Sequence, residues 1–270
     1  MFVIIGVIVV FAALIGGFIL AGGNIATLLV IPEYIIIIGV AIGSLLIANP
    51  LPVLKRVLNG VIGTMKGQKT KPADYVELLK MMYEIFQFAK REGLIALEQH
   101  VESPESSTIL TKYPSFLANR TAVEFFCDTL KVILSGGIPA NDLEDLMDKD
   151  IEAVEQEEEI PPVSLQTMAD AFPGLGIVAA VMGIIITMGA ISEGAESVGH
   201  HVASALVGTF LGVLLSYGVV GPIAASMQKI SMKEGKYLQA LKAGLLAFAK
   251  GLPASVAIEF ARRSIDPENR

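Results

Sequence analysis

Tryptophan is missing from these 270 residues, and there is a single cysteine, Cys127. One cysteine excludes an intrachain disulfide framework. With only three scattered histidines beside it, it cannot build a four-ligand zinc site. Charge is scarce too: 17% of the residues carry it, against about 25% in an average soluble domain. The net charge of −7 argues against a nucleic-acid partner. No Walker A phosphate loop and no GxSxG elbow occurs, so an enzyme reading has nothing to rest on. Lys and Arg are absent before Lys55. A cleaved signal peptide needs a basic start and a short apolar core, so the long apolar run at the N-terminus reads as a retained helix.

What is present is apolar: 53% hydrophobic residues and a mean hydropathy of +0.63. These residues fall in two blocks. The first, to Asn49, holds one formal charge, Glu33. Phe2 to Leu20 is long enough to span a bilayer, which takes about 20 residues at 1.5 Å each. Ala21-Gly22-Gly23-Asn24 breaks it, and a second run goes from Tyr34 to Ile47, or to about Leu51. The second block, Met168 to Met227, is split at Ser192 to Ser197 into runs 172–191 and 202–225. Four spans follow. All 20 Lys and Arg lie in two stretches, 12 from Lys55 to Lys149 and 8 from Lys229 to Arg270. The excess of basic residues marks the cytoplasmic side, so both termini and the long middle segment are expected there, with outer turns near 21–33 and 192–201. The expected fold is all-α: a polytopic inner-membrane protein with four transmembrane helices and a helical cytoplasmic domain. The divisions are 1–51, a hairpin of two spans; 52–166, cytoplasmic; 167–227, a second hairpin; and 228–270, a cytoplasmic tail.

In the cytoplasmic part, Tyr75, Leu78, Leu79, Met82, Ile85, Phe86, Phe88 and Ala89 repeat at helical spacing. This predicts a long amphipathic helix continuing through Leu94, Leu97 and Val101 to Pro104. A second helix is expected from about Tyr113 to Leu134, closed by Ser135-Gly136-Gly137. Asn141 and Glu144 read as a capping box for a third, which carries the acidic run Glu155 to Glu159 as a solvated end before Pro161-Pro162 stops it. Lys229 to Lys250 and Ala254 to Arg263 predict two more.

Ionisable residues inside a membrane usually mark ion routes, yet the middle of every span lacks them. Asp170 precedes span three, where it could cap the helix or receive exiting ions, and the next acidic residue is Glu193, outside. A carboxylate that carries ions at mid-membrane would therefore come from another chain; otherwise the protein conducts nothing and is a scaffold. Span three carries the small residues Gly176, Ala179, Ala180 and Gly183, and span four Gly208, Gly212 and Ser216 at spacing four; such residues let helices approach closely. Gly39 and Gly43 suggest simple intrachain packing of span two. Thr187 and Thr209 add hydroxyls to the small faces. Pro173 and Pro222 sit near the cytoplasmic ends of spans three and four, either as a helix start and a terminator or as hinges. His200 and His201, at the outer mouth of span four, read as loop residues.

The run Phe172-Pro173-Gly174-Leu175-Gly176-Ile177-Val178-Ala179-Ala180-Val181-Met182-Gly183, with Val207 to Gly218 and Gly221-Pro222, resembles the MotA family of flagellar stator subunits. Tyr113-Pro114, Leu146-Met147-Asp148 and Ala257 to Arg262 extend the resemblance over the whole chain. It implies a homo-pentameric ring in lipid around a dimer of a MotB-type protein. That partner would have one span and a peptidoglycan-binding domain, and would supply the ion-binding aspartate. Ion flow would turn the ring and drive the rotor protein FliG.

By position, the resemblance assigns torque coupling to Pro173 and Pro222 and the ion path to Ala180 and Thr209, with Thr187 and Asp170 along it. Rotor contact falls to Lys90 or Arg91 and to Glu98; read without the family, these three are a solvated helix face. No cofactor is implied. Sodium-driven relatives of the PomA type tend to carry Thr where Ala180 stands, and a methyl offers sodium no oxygen, so protons are favoured over Na+. An ExbB- or TolQ-type motor subunit is the nearest alternative, and a transporter lacks the repeated half it would need.

Overall fold

The computed structural model describes residues 2–67, 70–189 and 191–270; the side chain of Glu193 lies outside this set. Among them there are helices and no strand. The chain resolves into two compact units: residues 1–68 with 158–230, and residues 69–157 with 231–270.

The first unit holds α1 (Phe2–Leu20), α2 (Ile31–Ala48) and α3 (Leu51–Lys66). It also holds the second part of α8 (Ala140–Gly189), then α9 (Ala195–Val213), a π-helical segment Leu214–Val220 and the start of α10 (Gly221–Ala249). Four helices among the described residues are long and apolar enough to cross a membrane: α1, the helix ending at Ala48, α8, and the run from Ala195 to Ala249. No residue of α1 is buried, as befits a helix bathed in lipid. Ile37 and Ala41 of α2 pack with Phe172 and Ala179 of α8 and Leu211 of α9. A second cluster joins Val57 of α3 to Leu165, Ile223, Ala224 and Met227. Asn49, just past α2, accepts a 2.8 Å hydrogen bond from the Ser164 hydroxyl of α8. Helix α3 has no counterpart in the sequence reading; its basic residues Lys55, Arg56 and Lys66 masked an apolar face that holds Val57.

The second unit contains α4 (Pro72–Glu92), α5 (Glu98–Glu102), α6 (Pro114–Ala118), α7 (Arg120–Ser135), the first part of α8, the rest of α10, and α11 (Ala254–Ser264). One face of α4 is buried, from Tyr75 through Leu78, Met82 and Phe86 to Ala89. Phe86 stacks on Phe248 with ring centroids 4.3 Å apart. Lys242 of α10 pairs with Asp148 of α8 at 2.6 Å.

Several sequence expectations change here. The long helix through Val101 stops at Glu92, because Gly93 adopts φ +92°, where an α-helix cannot continue. The helix expected over 113–134 is two, divided where the Asn119 side chain caps the Ala122 N–H at 3.2 Å. Helix α8 opens before Asn141, since the Pro139 carbonyl already accepts the Leu143 N–H; Asn141 is not its cap. Pro161-Pro162 do not stop it. An interior proline costs roughly 3 kcal/mol. Here Leu143, Met147 and Ile151 on one side and Leu165 and Ala169 on the other are locked into packed cores, which outweighs the lost bonds. The acidic run therefore lies mid-helix rather than at an end. His200 and His201 are helical, not loop, residues.

His100 is buried on α5 and edge-on to Phe88. The Ser107 hydroxyl oxygen accepts the N–H groups of Ile109 and Leu110, which leaves its proton to bond Nδ1 of His100 at 2.8 Å. The imidazole Nε2 has no hydrogen-bond partner among the described residues. Burial holds this histidine below its ordinary range. The unfolded chain thus takes up the proton first, so the stability it contributes is present above about pH 6.5 and is lost as pH falls. The thermal midpoint of the purified protein should drop between about pH 7 and pH 5. His100→Asn, which keeps a polar group near the Ser107 hydroxyl, should flatten that slope; an unchanged slope would clear His100.

Candidate functional site

Helices α8 and α9 meet along their glycines. A Cβ added at Gly176 would stand 2.7 Å from the Gly208 carbonyl oxygen and 3.2 Å from Cα of Thr209. One at Gly212 would stand 2.5 Å from the Phe172 carbonyl oxygen. Backbones this close admit no side chain, and van der Waals contact replaces the hydrophobic effect that lipid cannot supply. Gly39 and Gly43 behave differently from expectation: a Cβ on either would meet nothing within 4 Å, so they do not serve packing inside this chain.

Ala180 and Thr209 are half-buried on the facing helices. Thr187 is buried and its hydroxyl donates to the Gly183 carbonyl at 2.8 Å, so it is satisfied within its own helix. Asp170 is exposed in the middle of α8 and accepts from Gln166 at 2.8 Å; it caps no helix, because the helix began thirty residues earlier.

Pro173 also lies inside α8, which removes the helix-start reading. Pro222 is the second residue of α10 and terminates nothing. Ahead of it the chain winds as a π-helix, with the Gly221 N–H bonded to the Ser216 carbonyl five residues back. A proline clashes with the carbonyl four residues earlier and offers it no donor; the wider π turn makes room for it. Gly221 faces Ala169, one turn before Pro173, so both prolines flank one level of the helix pair.

The sequence reading missed one group. Glu33, taken as part of an outer turn, sits in the first turn of α2 and is only 5% exposed. Its carboxylate enters the α8–α9 seam. A Cβ at Gly208 would be 2.6 Å from Oε2, and one at Gly183 would be 3.6 Å from Oε1. Oε2 has no hydrogen-bond partner among the described residues. The signal in the sequence was the small pair Gly183 and Gly208, whose missing side chains leave the space.

Elsewhere, α8 exposes Ile177, Val181, Ile184, Ile185 and Met188, α9 exposes Val202, Leu206, Phe210 and Val213, and the π-helical segment exposes Tyr217. In the second unit, Lys90 and Arg91 end α4 and Glu98 begins α5, all exposed on either side of the Gly93 bend. Arg91 pairs with its neighbour Glu92 at 2.7 Å.

Residues 4–93 match the model described as Motility protein A N-terminal, and residues 118–240 match that of the MotA/TolQ/ExbB proton channel family. Motility protein A of Escherichia coli (strain K12) is 34% identical over 270 residues, covering all of this chain and 92% of that protein. The chain belongs to the motility protein A family. Chemotaxis protein LafT of Vibrio parahaemolyticus is 36% identical over 261 residues, 97% of this chain and 92% of its own. Among solved structures, the flagellar MotAB stator complex from Bacillus subtilis matches with TM-score 0.74 and 26% identity, covering 95% of this chain and 92% of that one. The C. jejuni MotAB structure shares the fold, with TM-score 0.80 at 17% identity, over 98% and 96% of the two chains. The MotA-type assignment thus rests on residues from both units, 4–93 and 118–240. The N-terminal match over residues 4–93 distinguishes it within the broader channel family.

Proposed function

We propose that this chain is the ring subunit of a flagellar stator in the bacterial inner membrane, with both termini cytoplasmic. Five copies surround a dimer of a MotB-type, peptidoglycan-anchored partner, and protons passing between them turn the ring against FliG. The supporting observation is the α8–α9 seam. It is narrow, lined by glycine, alanine and threonine, and no Asp, Glu, Lys or Arg lies in 171–189 or 197–228. The seam itself is closed within the chain, so the face left for another chain's helix, the one bearing the ion-binding carboxylate, is the uncharged one where Ala180 and Thr209 stay half-buried. The apolar stripes on α8 and α9 are left uncovered by the described residues, which supports a ring in lipid. Ala180 offers no oxygen to a sodium ion, which favours protons. Lys90, Arg91 and Glu98 form the rotor face; exposed ion pairs are worth about 0–1 kcal/mol each, which suits contacts made and released every step. The chain itself performs no covalent chemistry and needs no cofactor.

Deleting the gene should leave cells with flagella that do not rotate, and the intact gene should restore rotation of tethered cells. Normal rotation in the deletion strain would reject the reading. In the same assay Thr209→Ala should slow rotation about twofold to tenfold, the loss of one hydrogen-bonding group, with assembly unchanged. Wild-type speed under load would remove Thr209 from the ion path.

A further inference from the structure

We propose that Glu33 is a second proton-binding carboxylate of this motor, held by the ring subunit itself. It takes a proton entering from outside and passes it toward the partner's carboxylate; the inference rests on the stator reading above.

Three observations carry it. First, the carboxylate is buried, and Oε2 is sealed from every donor among the described residues. Second, its position is built: Gly208 and Gly183 leave the space it fills, and an alanine at Gly208 would close that space on Oε2. Gly183 lies six residues inside the end of α8, about 9 Å along the helix. Third, no ion pair to it is found among the described residues: no Lys or Arg occurs in 1–54 or in 150–228, and Lys55 and Arg56 come after the far end of α2.

An isolated buried carboxylate does not persist as a bare anion, so its counter-charge comes from solution. A hard metal cation gathers several oxygens. Among the described residues no group of three or more His, Cys, Asp or Glu lies together that could hold one, and the two positions built around the Glu33 carboxylate, Gly183 and Gly208, carry no side-chain oxygen. One oxygen is enough for a proton. The step is a transfer: an O–H bond forms on the Glu33 carboxylate and breaks when the proton moves to the next acceptor. The titratable groups nearest along the packed elements are His201, four residues before Ala205 on α9, with His200 and Glu196 further out, and Tyr34 beside Glu33 on α2; α8 presents none between 171 and 189. The Tyr34 hydroxyl is committed to the Leu28 carbonyl.

The test expresses the chain with its partner in cells lacking their own stator. It compares wild type, Glu33→Gln and Glu33→Asp for tethered-cell speed across external pH, with and without sodium, and for co-purification with the partner. Glu33→Gln should co-purify normally yet turn at least about tenfold slower, the scale of losing a proton-transfer group. Glu33→Asp should turn at intermediate speed with a shifted dependence on external pH. The inference is overturned if Glu33→Gln turns at wild-type speed. It is equally overturned if both variants fail to co-purify, which makes the residue structural, or if speed follows external sodium at fixed pH. Failure of the wild-type chain to drive rotation would instead reject the stator reading.

Discussion

Pro173→Ala and Pro222→Ala should each abolish torque, with rotation falling by more than about tenfold, while membrane abundance stays at or above the wild-type level. The two expectations have opposite signs for one reason. Alanine restores the missing N–H and relieves the ring clash, so the helix gains up to about 3 kcal/mol locally. At Pro222 it also removes the need for the π-helical turn Leu214–Val220 ahead of it. A straighter, stiffer helix pair gives up the yielding point at the level where Gly221 meets Ala169. Tethered-cell rotation measured beside immunoblots of the membrane fraction separates the outcomes. Full rotation in both variants would show that the prolines do no more than shape the fold. Loss of protein together with loss of rotation would assign them to stability.

Gly212→Ala should have the second largest effect, this time on the protein itself. The added methyl would stand 2.5 Å from the Phe172 carbonyl oxygen and 3.0 Å from Cα of Gly176. Both neighbours are backbone, so no side chain can swing away and α8 must shift. Overpacking of this kind costs about 1–3 kcal/mol, and destabilisation on that scale lowers cellular abundance several-fold. Gly174→Ala is the control: it lies on the facing helix α8, one residue past Pro173, and a Cβ there meets nothing within 4 Å. Equal abundance and equal thermal midpoints for the two variants in detergent would refute the close-packed seam as a source of stability.

Most of the membrane half was legible in the residue order. A span announces itself by composition, because hydrocarbon tolerates neither charge nor unsatisfied backbone. Small residues at spacing four announce a close approach, and Gly176, Gly208 and Gly212 do make one. Gly39 and Gly43 carry the same pattern, yet a Cβ on either would meet nothing within 4 Å among the described residues. Spacing shows which face is small, not which helix will meet it. In the second unit the apolar stripe of α4 could be read directly, whereas its end at Glu92 turned on the single φ of Gly93.

Sequence alone determined the helical class, the four spans, the absence of Asp, Glu, Lys and Arg from 171–189 and 197–228, and the small residues along those stretches. These properties depend on each residue's own solvation and on short-range spacing. Tertiary structure alone decided that the helix survives Pro161, Pro162 and Pro173, because the compensating burial comes from residues distant in the chain. It alone decided that the strain at Pro222 is taken up by a π turn. It also carried Glu33 from an apparent outer turn into the glycine seam between two other helices. A carboxylate's surroundings are set by what folds around it, and here that is α8 and α9, more than a hundred residues further along the chain.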